Sequence, residues 1–182
     1  MPPDTELETL MVRYQQGDSS AAGELVTRLS PALHRFFMVQ FVSRRYADDL
    51  LQETWLRIHQ VRNTYRPGEP VLPWLYAIAR HIRVDQYRKA RRVEAREQQV
   101  EQLPEIAAVD RSRGPDLEAL LATLPESQRE VIAMLKISGM SLEEVARATA
   151  SSVGSVKQKA HRAYEKLRQI LTSAGFSRAG SS

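Results

Sequence analysis

The chain contains no cysteine in 182 residues, which excludes disulfide bridges and any metal site built on thiolates. Its four histidines are scattered, and no two share the i, i+4 spacing that puts a pair of imidazoles on one helix face. No apolar run approaches the roughly 20 residues that a membrane-spanning helix needs. The opening, Met1-Pro2-Pro3-Asp4-Thr5-Glu6, has neither the basic start nor the apolar centre of a signal peptide. These absences lead to the expectation of a soluble, cytoplasmic protein with no membrane insertion, no metal and no cofactor.

What is present is charge, unevenly placed. The formal net charge is +4 and the pI about 9.6, a balance that permits a nucleic-acid partner without requiring one. Residues 80–92 carry six Lys or Arg against Asp85, and residues 157–168 carry five against Glu165, whereas residues 93–126 carry eight acids against three Arg. Two basic patches therefore flank an acidic connector. The length suits one domain or two small ones, each half just large enough for a core of its own.

The most informative stretch runs from Leu124 to Leu171. Ser141 caps a short helix while Glu144, three residues on, reaches back to the cap's own N–H, a reciprocal pairing that satisfies two orphan donors. After Thr149-Ala150-Ser151, Ser152 caps a second helix whose apolar residues Val153, Val156, Ala160, Ala163, Tyr164, Leu167 and Leu171 recur at helical spacing. The opposite face presents Ser155, Gln158, Lys159 and Arg162, flanked by Lys157 and His161. A short capped helix, a tight turn and a basic second helix read as a helix-turn-helix. In such a device the second helix enters the major groove, where Ser, Gln and Lys reach base edges and more distal cations hold phosphates. A solvated basic face on a packing helix is the plainer alternative.

The N-terminal half reads as a bundle. Leu7, Leu10, Met11 and Tyr14 mark a helix over Thr5 to Gln16, ended by Gly17, and Asp18 caps the next. That second helix, with Ala22, Leu25, Val26 and Leu29 inward, is expected to stop at Ser30-Pro31, where a third begins. Phe36, Phe37, Val39, Phe41 and Val42 are its expected core residues. A longer helix over Tyr46 to Val61 turns Leu50, Leu51, Thr54, Trp55 and Ile58 inward. Its polar positions Asp48, Asp49, Gln52 and Glu53 crowd together without a basic partner, and Asp49 and Glu53 repel at i, i+4. The helix dipole accounts for Asp48 and Asp49 near the start but not for Glu53. A docking surface for a basic partner and a carboxylate pair holding a divalent metal are the two functional readings. The metal reading lacks a third ligand and a base.

A Pro- and Gly-rich connection from Arg62 leads to Pro73, which opens a helix with Trp74, Leu75, Ile78, Ala79 and Ile82 on its buried side. Arg80, Arg83, Arg88 and Lys89, with Arg91 and Arg92, crowd the other side. A loop carrying Tyr65 and Arg66 beside such a helix suits a strand whose bases have left the stack, the loop taking a base and the arginines holding phosphates. A basic helix capping a bundle has the same composition. From Val93 to about Asp116 periodicity fades. Leu117, Leu120, Leu121 and Leu124 are then expected to join Val131, Ile132 and Leu135 in a second core.

Three of these runs carry a resemblance. Gly139-Met140-Ser141-Leu142-Glu143-Glu144-Val145-Ala146, with Val153-Gly154-Ser155-Val156-Lys157 and His161-Arg162-Ala163, is similar to the C-terminal DNA-binding domain of extracytoplasmic-function sigma factors. Ala47-Asp48-Asp49-Leu50-Leu51-Gln52-Glu53-Thr54-Trp55 is similar to that family's most recognisable N-terminal run. Pro73-Trp74-Leu75-Tyr76-Ala77-Ile78-Ala79-Arg80, with Asp85 and Arg88, resembles its reader of the promoter element nearer the start site. Ala150 departs from the usual Gly in the turn, and His81 stands where Asn is common, a change that bears on base preference. Asp85 is expected to orient Arg88 or Lys89.

The resemblance implies an all-α, two-domain transcription initiation factor that performs no chemistry, expected to serve a stress or envelope response. It implies that Asp48, Asp49, Gln52 and Glu53 dock on a coiled coil of core RNA polymerase. Promoter DNA is met as opened strand by Tyr65, Arg66, Arg80, His81, Arg83, Arg88 and Lys89, and as duplex by Ser155, Lys157, Gln158, Lys159, His161 and Arg162. A restraining anti-sigma factor is a further implied partner. The expected divisions are 1–95, a flexible linker 96–115, the helix-turn-helix domain 116–173 and a tail 174–182. Two competing functions stay open: a stand-alone helix-turn-helix regulator, and a magnesium-dependent nucleic-acid enzyme using Asp49, Glu53 and His59.

Overall fold

The computed structural model describes residues 5–40, 44–96 and 117–175, and every regular element among them is helical. The expected linker beyond Arg96, the apolar pair Phe41 and Val42, and the tail beyond Gly175 lie outside the described residues. Helix α1 spans Thr5–Gln15 and buries Leu7, Leu10, Met11 and Tyr14. It ends where Gly17 takes φ 91°, a left-handed conformation that costs glycine nothing. Asp18 then caps α2 by accepting from the N–H groups of Ser20 and Ala21, and Arg13 donates two hydrogen bonds to the same carboxylate. The Arg13 guanidinium holds the Asp18 carboxyl below its ordinary range.

The expected break at Pro31 does not occur. Helix α2 runs unbroken through Ser19–Met38 with Pro31 inside it, although an interior proline removes one hydrogen bond and costs about 3 kcal/mol. Burial on both sides of Pro31 outweighs that cost, because Leu25, Leu29, Leu33, Phe36 and Phe37 form one stripe of core residues and each is worth roughly 2 kcal/mol of removed apolar surface. A hydrogen bond from Trp55 Nε1 to Ser30 Oγ pins the helix beside the proline. Val26, expected inward, is instead exposed.

Helix α3, Arg44–Val61, buries Ala47, Leu50, Thr54 and Ile58. It begins two residues before the expected Tyr46, so Asp48 lies beyond the first turn, where the dipole has largely faded. A 3₁₀ turn at Arg62–Thr64 leads to α4, Val71–Arg96. Pro73 sits in the first turn of α4, where no intrahelical partner for an N–H is needed. The core side of α4 includes Val71, Leu75, Tyr76, Ala79 and Ile82.

The C-terminal half comprises α5 (Leu117–Ala122), α6 (Glu126–Ile132) continuing as a π-helical turn over Ala133–Ile137, α7 (Leu142–Ala148) and α8 (Val153–Ser173). Leu121, Leu124, Val131, Ile132, Met134, Met140, Val145 and Val156 make its core. Leu117 and Tyr164 are exposed rather than buried as expected. Leu117 is the first residue of its helix, and the Tyr164 ring lies under the Lys136 ammonium, 5.9 Å from its centroid, a polar contact that suits an exposed aromatic.

Both caps of the helix-turn-helix form as the sequence indicates. Ser141 Oγ accepts from Glu144 N–H while Glu144 accepts from Ser141 N–H, and Ser152 Oγ accepts from Ser155 N–H. Between them Ala150 takes φ 50°. Its N–H bonds to Arg147 C=O and that of Ser151 to Ala146 C=O, the paired bonds of a helix end that asks for glycine. Ala150→Gly is therefore expected to stabilise the protein by about 1 kcal/mol, raising the melting temperature by about 3 °C. An unchanged or lower midpoint in thermal unfolding contradicts this account of the turn.

Candidate nucleic-acid interface

The α8 face is open. Lys157, Gln158, His161 and Arg162 are exposed, Ser155 and Lys159 half-buried, while Val156, Ala160 and Ala163 on the other side are core. Among the described residues none of these polar side chains is held in an ion pair; the nearest one on the helix is Arg168 with Glu165, a turn further on. Six polar groups in about two turns, in the N-terminal part of a capped helix, are free to meet base edges and phosphates.

The second basic surface divides in two. Arg88, Lys89, Arg91 and Arg92, on the distal part of α4, are exposed, with the Arg91 guanidinium 5.0 Å from the Tyr87 ring centroid. Nearer the core, Arg83 is only 4% exposed. It donates from Nη1 to Glu126 and from Nη2 to Glu130 Oε1 at 3.1 Å. Arg80 Nε lies 2.8 Å from the same Glu130 oxygen, an ion pair by distance that is not aligned as a hydrogen bond. In this conformation, Arg80 and Arg83 are thus committed to α6, not to a ligand.

Tyr65 needs a correction. It is 2% exposed, its ring meets Trp74 edge-on at 5.6 Å, and its hydroxyl donates to Glu69 C=O at 2.6 Å. Burial pushes that hydroxyl up to about 12, so it remains a donor that ties the loop, and in this conformation the ring is packed inward instead of open to a base. Arg66 beside it is exposed. His81 is exposed with Nε2 3.4 Å from Asp85, which makes His81, rather than Arg88 or Lys89, the partner of Asp85.

On the far side of the N-terminal half, Asp48, Asp49, Gln52 and Glu53 are all exposed on α3. Asp48 does have a cationic neighbour, His34 Nε2 at 2.8 Å, which lies 14 residues away and carries no local sequence signal. Beside them runs a groove of about 450 Å³ lined by Val26, Ser30, Asp48, Leu51, Gln52, Trp55, Leu56 and His59. Leu56 is 54% exposed. An apolar trough with an acidic rim is suited to a helical partner with a basic flank. His59 Nδ1 and the Tyr14 hydroxyl share a hydrogen bond at 2.7 Å, and among the described residues no three metal-ligating side chains converge. The sequence pattern assigns Val26 to the core and does not single out Leu56, whose signal is apolar character out of phase with the buried stripe of α3.

Comparison with known proteins agrees in both halves. Residues 25–93 match the Sigma-70 region 2 family and residues 116–167 the Sigma-70 region 4 family. RNA polymerase sigma factor CarQ of Myxococcus xanthus is 32% identical over 165 residues, covering 88% of this chain and 95% of that protein. The ECF RNA polymerase sigma factor SigF of Caulobacter vibrioides is 32% identical over 174 residues, 94% of this chain and 97% of the other. Among solved structures, CnrH in complex with the cytosolic domain of CnrY superposes with a TM-score of 0.71 at 27% identity, over 92% of this chain and 98% of that one. The sigma factor RpoE of Bartonella quintana, in complex with the anti-sigma factor NepR, shares the fold at a TM-score of 0.70 and 24% identity, over 82% of this chain and 96% of its own. A stand-alone regulator is set aside, because the N-terminal half carries a sigma region of its own. With both regions present and full-length relatives above 30% identity, the chain belongs to the extracytoplasmic-function sigma factors of RNA polymerase.

Proposed function

We propose that this sigma factor divides its work by surface. Residues 1–95 bind core RNA polymerase and the opened promoter strand, residues 96–115 link, and residues 116–173 read the distal promoter element as duplex. The observation that carries the polymerase assignment is the exposed row Asp48, Asp49, Gln52 and Glu53 beside the apolar groove that contains Leu56. Exposed acids of which only Asp48 has a structural partner, His34, set against uncovered apolar surface, favour a protein ligand over solvent. Phosphodiester chemistry stays with the polymerase, since nothing on α3 supplies a nucleophile and a base together.

At the promoter, Arg66, His81, Arg88 and Lys89 meet the opened strand and Ser155, Lys157, Gln158, Lys159, His161 and Arg162 the duplex. Arg80 and Arg83 join the first set once α6 has withdrawn. An anti-sigma factor is the third partner, in keeping with CnrH, a relative in fold and sequence that is itself complexed with the cytosolic domain of CnrY. Arg162→Ala in the full chain is expected to weaken duplex binding and to lower the slope of log affinity against log salt by about one, the signature of one lost phosphate contact. An unchanged slope removes Arg162 from the phosphate contacts. The proposal as a whole is tested by adding the protein to purified core polymerase and mapping transcript start sites.

A further inference from the structure

The two halves meet in a seam, and its chemistry is unusual. Helix α4, which carries the arginines facing the proximal promoter element, packs against the C-terminal half. At the centre of the contact Glu130, itself 4% exposed, lies between Arg80 and Arg83, while Glu126 takes the other Arg83 nitrogen. Ser138 donates to the Tyr76 hydroxyl, so the Tyr76 ring, stacked edge-on against Phe36, is covered by the other half. At the rim Arg147 of α7 meets Glu69 at 3.1 Å with both side chains more than half exposed. The two acids, exposed Glu126 at the edge of the cluster and buried Glu130 at its centre, sit 43 and 47 residues from Arg83 in sequence, beyond the linker.

Two carboxylates presented to a guanidinium occupy the same donors that two phosphate oxygens need. We infer that Glu126 and Glu130 of α6 act as an internal phosphate mimic, latching the chain in a closed form in which the acid pair and the opened promoter strand compete for Arg80 and Arg83. The latch rests on the proposed role of α4 as the reader of the opened strand. Its geometry makes the closed form self-limiting: withdrawal of α6 exposes the arginines at the same moment that it frees the helix-turn-helix from α4. Removing one side of a buried charge cluster is far more disruptive than removing an exposed pair. Glu130, not Arg147, therefore holds the seam.

Because the chain has no cysteine, the exposed Gln60 on α3 and Gln169 on α8 can be replaced by cysteine for a donor and acceptor dye in the full-length protein. High energy transfer is expected in the native sequence, falling when a single-stranded oligonucleotide is added. In E126Q/E130Q the closed-to-open ratio is expected to drop on the order of a hundredfold, with oligonucleotide binding at least tenfold tighter. E130D keeps the charge but withdraws the carboxylate by one methylene, and is expected to move both readings in the same direction. That outcome separates a broken latch from a simple loss of negative charge. R147A is expected to change neither. Low transfer in the native chain, or transfer unchanged in both Glu variants, overturns the latch. Start-site transcription with core polymerase, measured on the same proteins, is expected to persist in E126Q/E130Q; its absence already in the native chain counts against the proposed function and leaves the latch to be judged by energy transfer alone.

Discussion

Reversing charge at two positions of α3, D49K/E53K, is expected to weaken binding to core RNA polymerase by at least a hundredfold. Asp49 and Glu53 are exposed one turn apart, so a basic partner meets both at once. Replacing attraction by like-charge contact across an interface costs several kcal/mol, which corresponds to two or more decades in affinity. Folding is barely touched, since the carboxylates have no structural partner among the described residues and exposed substitutions of this kind stay within about 0.5 kcal/mol. Duplex binding by the full chain is expected to be no weaker, because α8 is on the other half. The check is anisotropy of the labelled protein with core polymerase, beside the same measurement with duplex DNA. An equal loss in both assays contradicts the division of labour.

The second large effect is on stability. Phe36 is fully buried in α2, 5.4 Å from Phe37 and 5.3 Å from Tyr76 between ring centroids, both in edge-on geometry. Phe36→Ala removes the side chain through which α2 reaches α4, and is expected to cost about 3–5 kcal/mol, the sum of lost transfer energy and the cavity left behind. For a chain of this length that lowers the melting temperature by about 10 °C. Phe36→Leu, which keeps most of the volume, is expected to recover more than half of the loss. A cost below about 1 kcal/mol for the alanine variant contradicts the placement of Phe36 at the centre of the N-terminal core.

Local signals were legible wherever a few neighbouring residues decide the outcome. The Asp18, Ser141 and Ser152 caps and the turn at Ala150 each follow from residues within about four positions of one another, and the open polar face of α8 from one helical stretch of eight residues. The misreadings share a different cause. Pro31 is a strong local break signal, overruled by core contacts that come from other helices. Tyr65 looked like an exposed loop aromatic because Trp74 and Gln15, which hold it, are 9 and 50 residues away. Asp48 looked unpartnered because His34 is on another helix. Arg83 and Glu130 are the extreme case, since each alone reads as a surface charge, and only the packing of α4 against the C-terminal half makes them a buried pair.

Promoter-specific initiation is expected to require the protein and core polymerase together. Purified protein is to be incubated with core RNA polymerase and genomic DNA of the organism that encodes it, and the 5′ ends of the transcripts mapped. The expected result is a small set of defined start sites that vanish without the protein and in D49K/E53K. Transcripts whose ends are the same with and without the protein, while it binds duplex DNA tightly on its own, are the result that contradicts it.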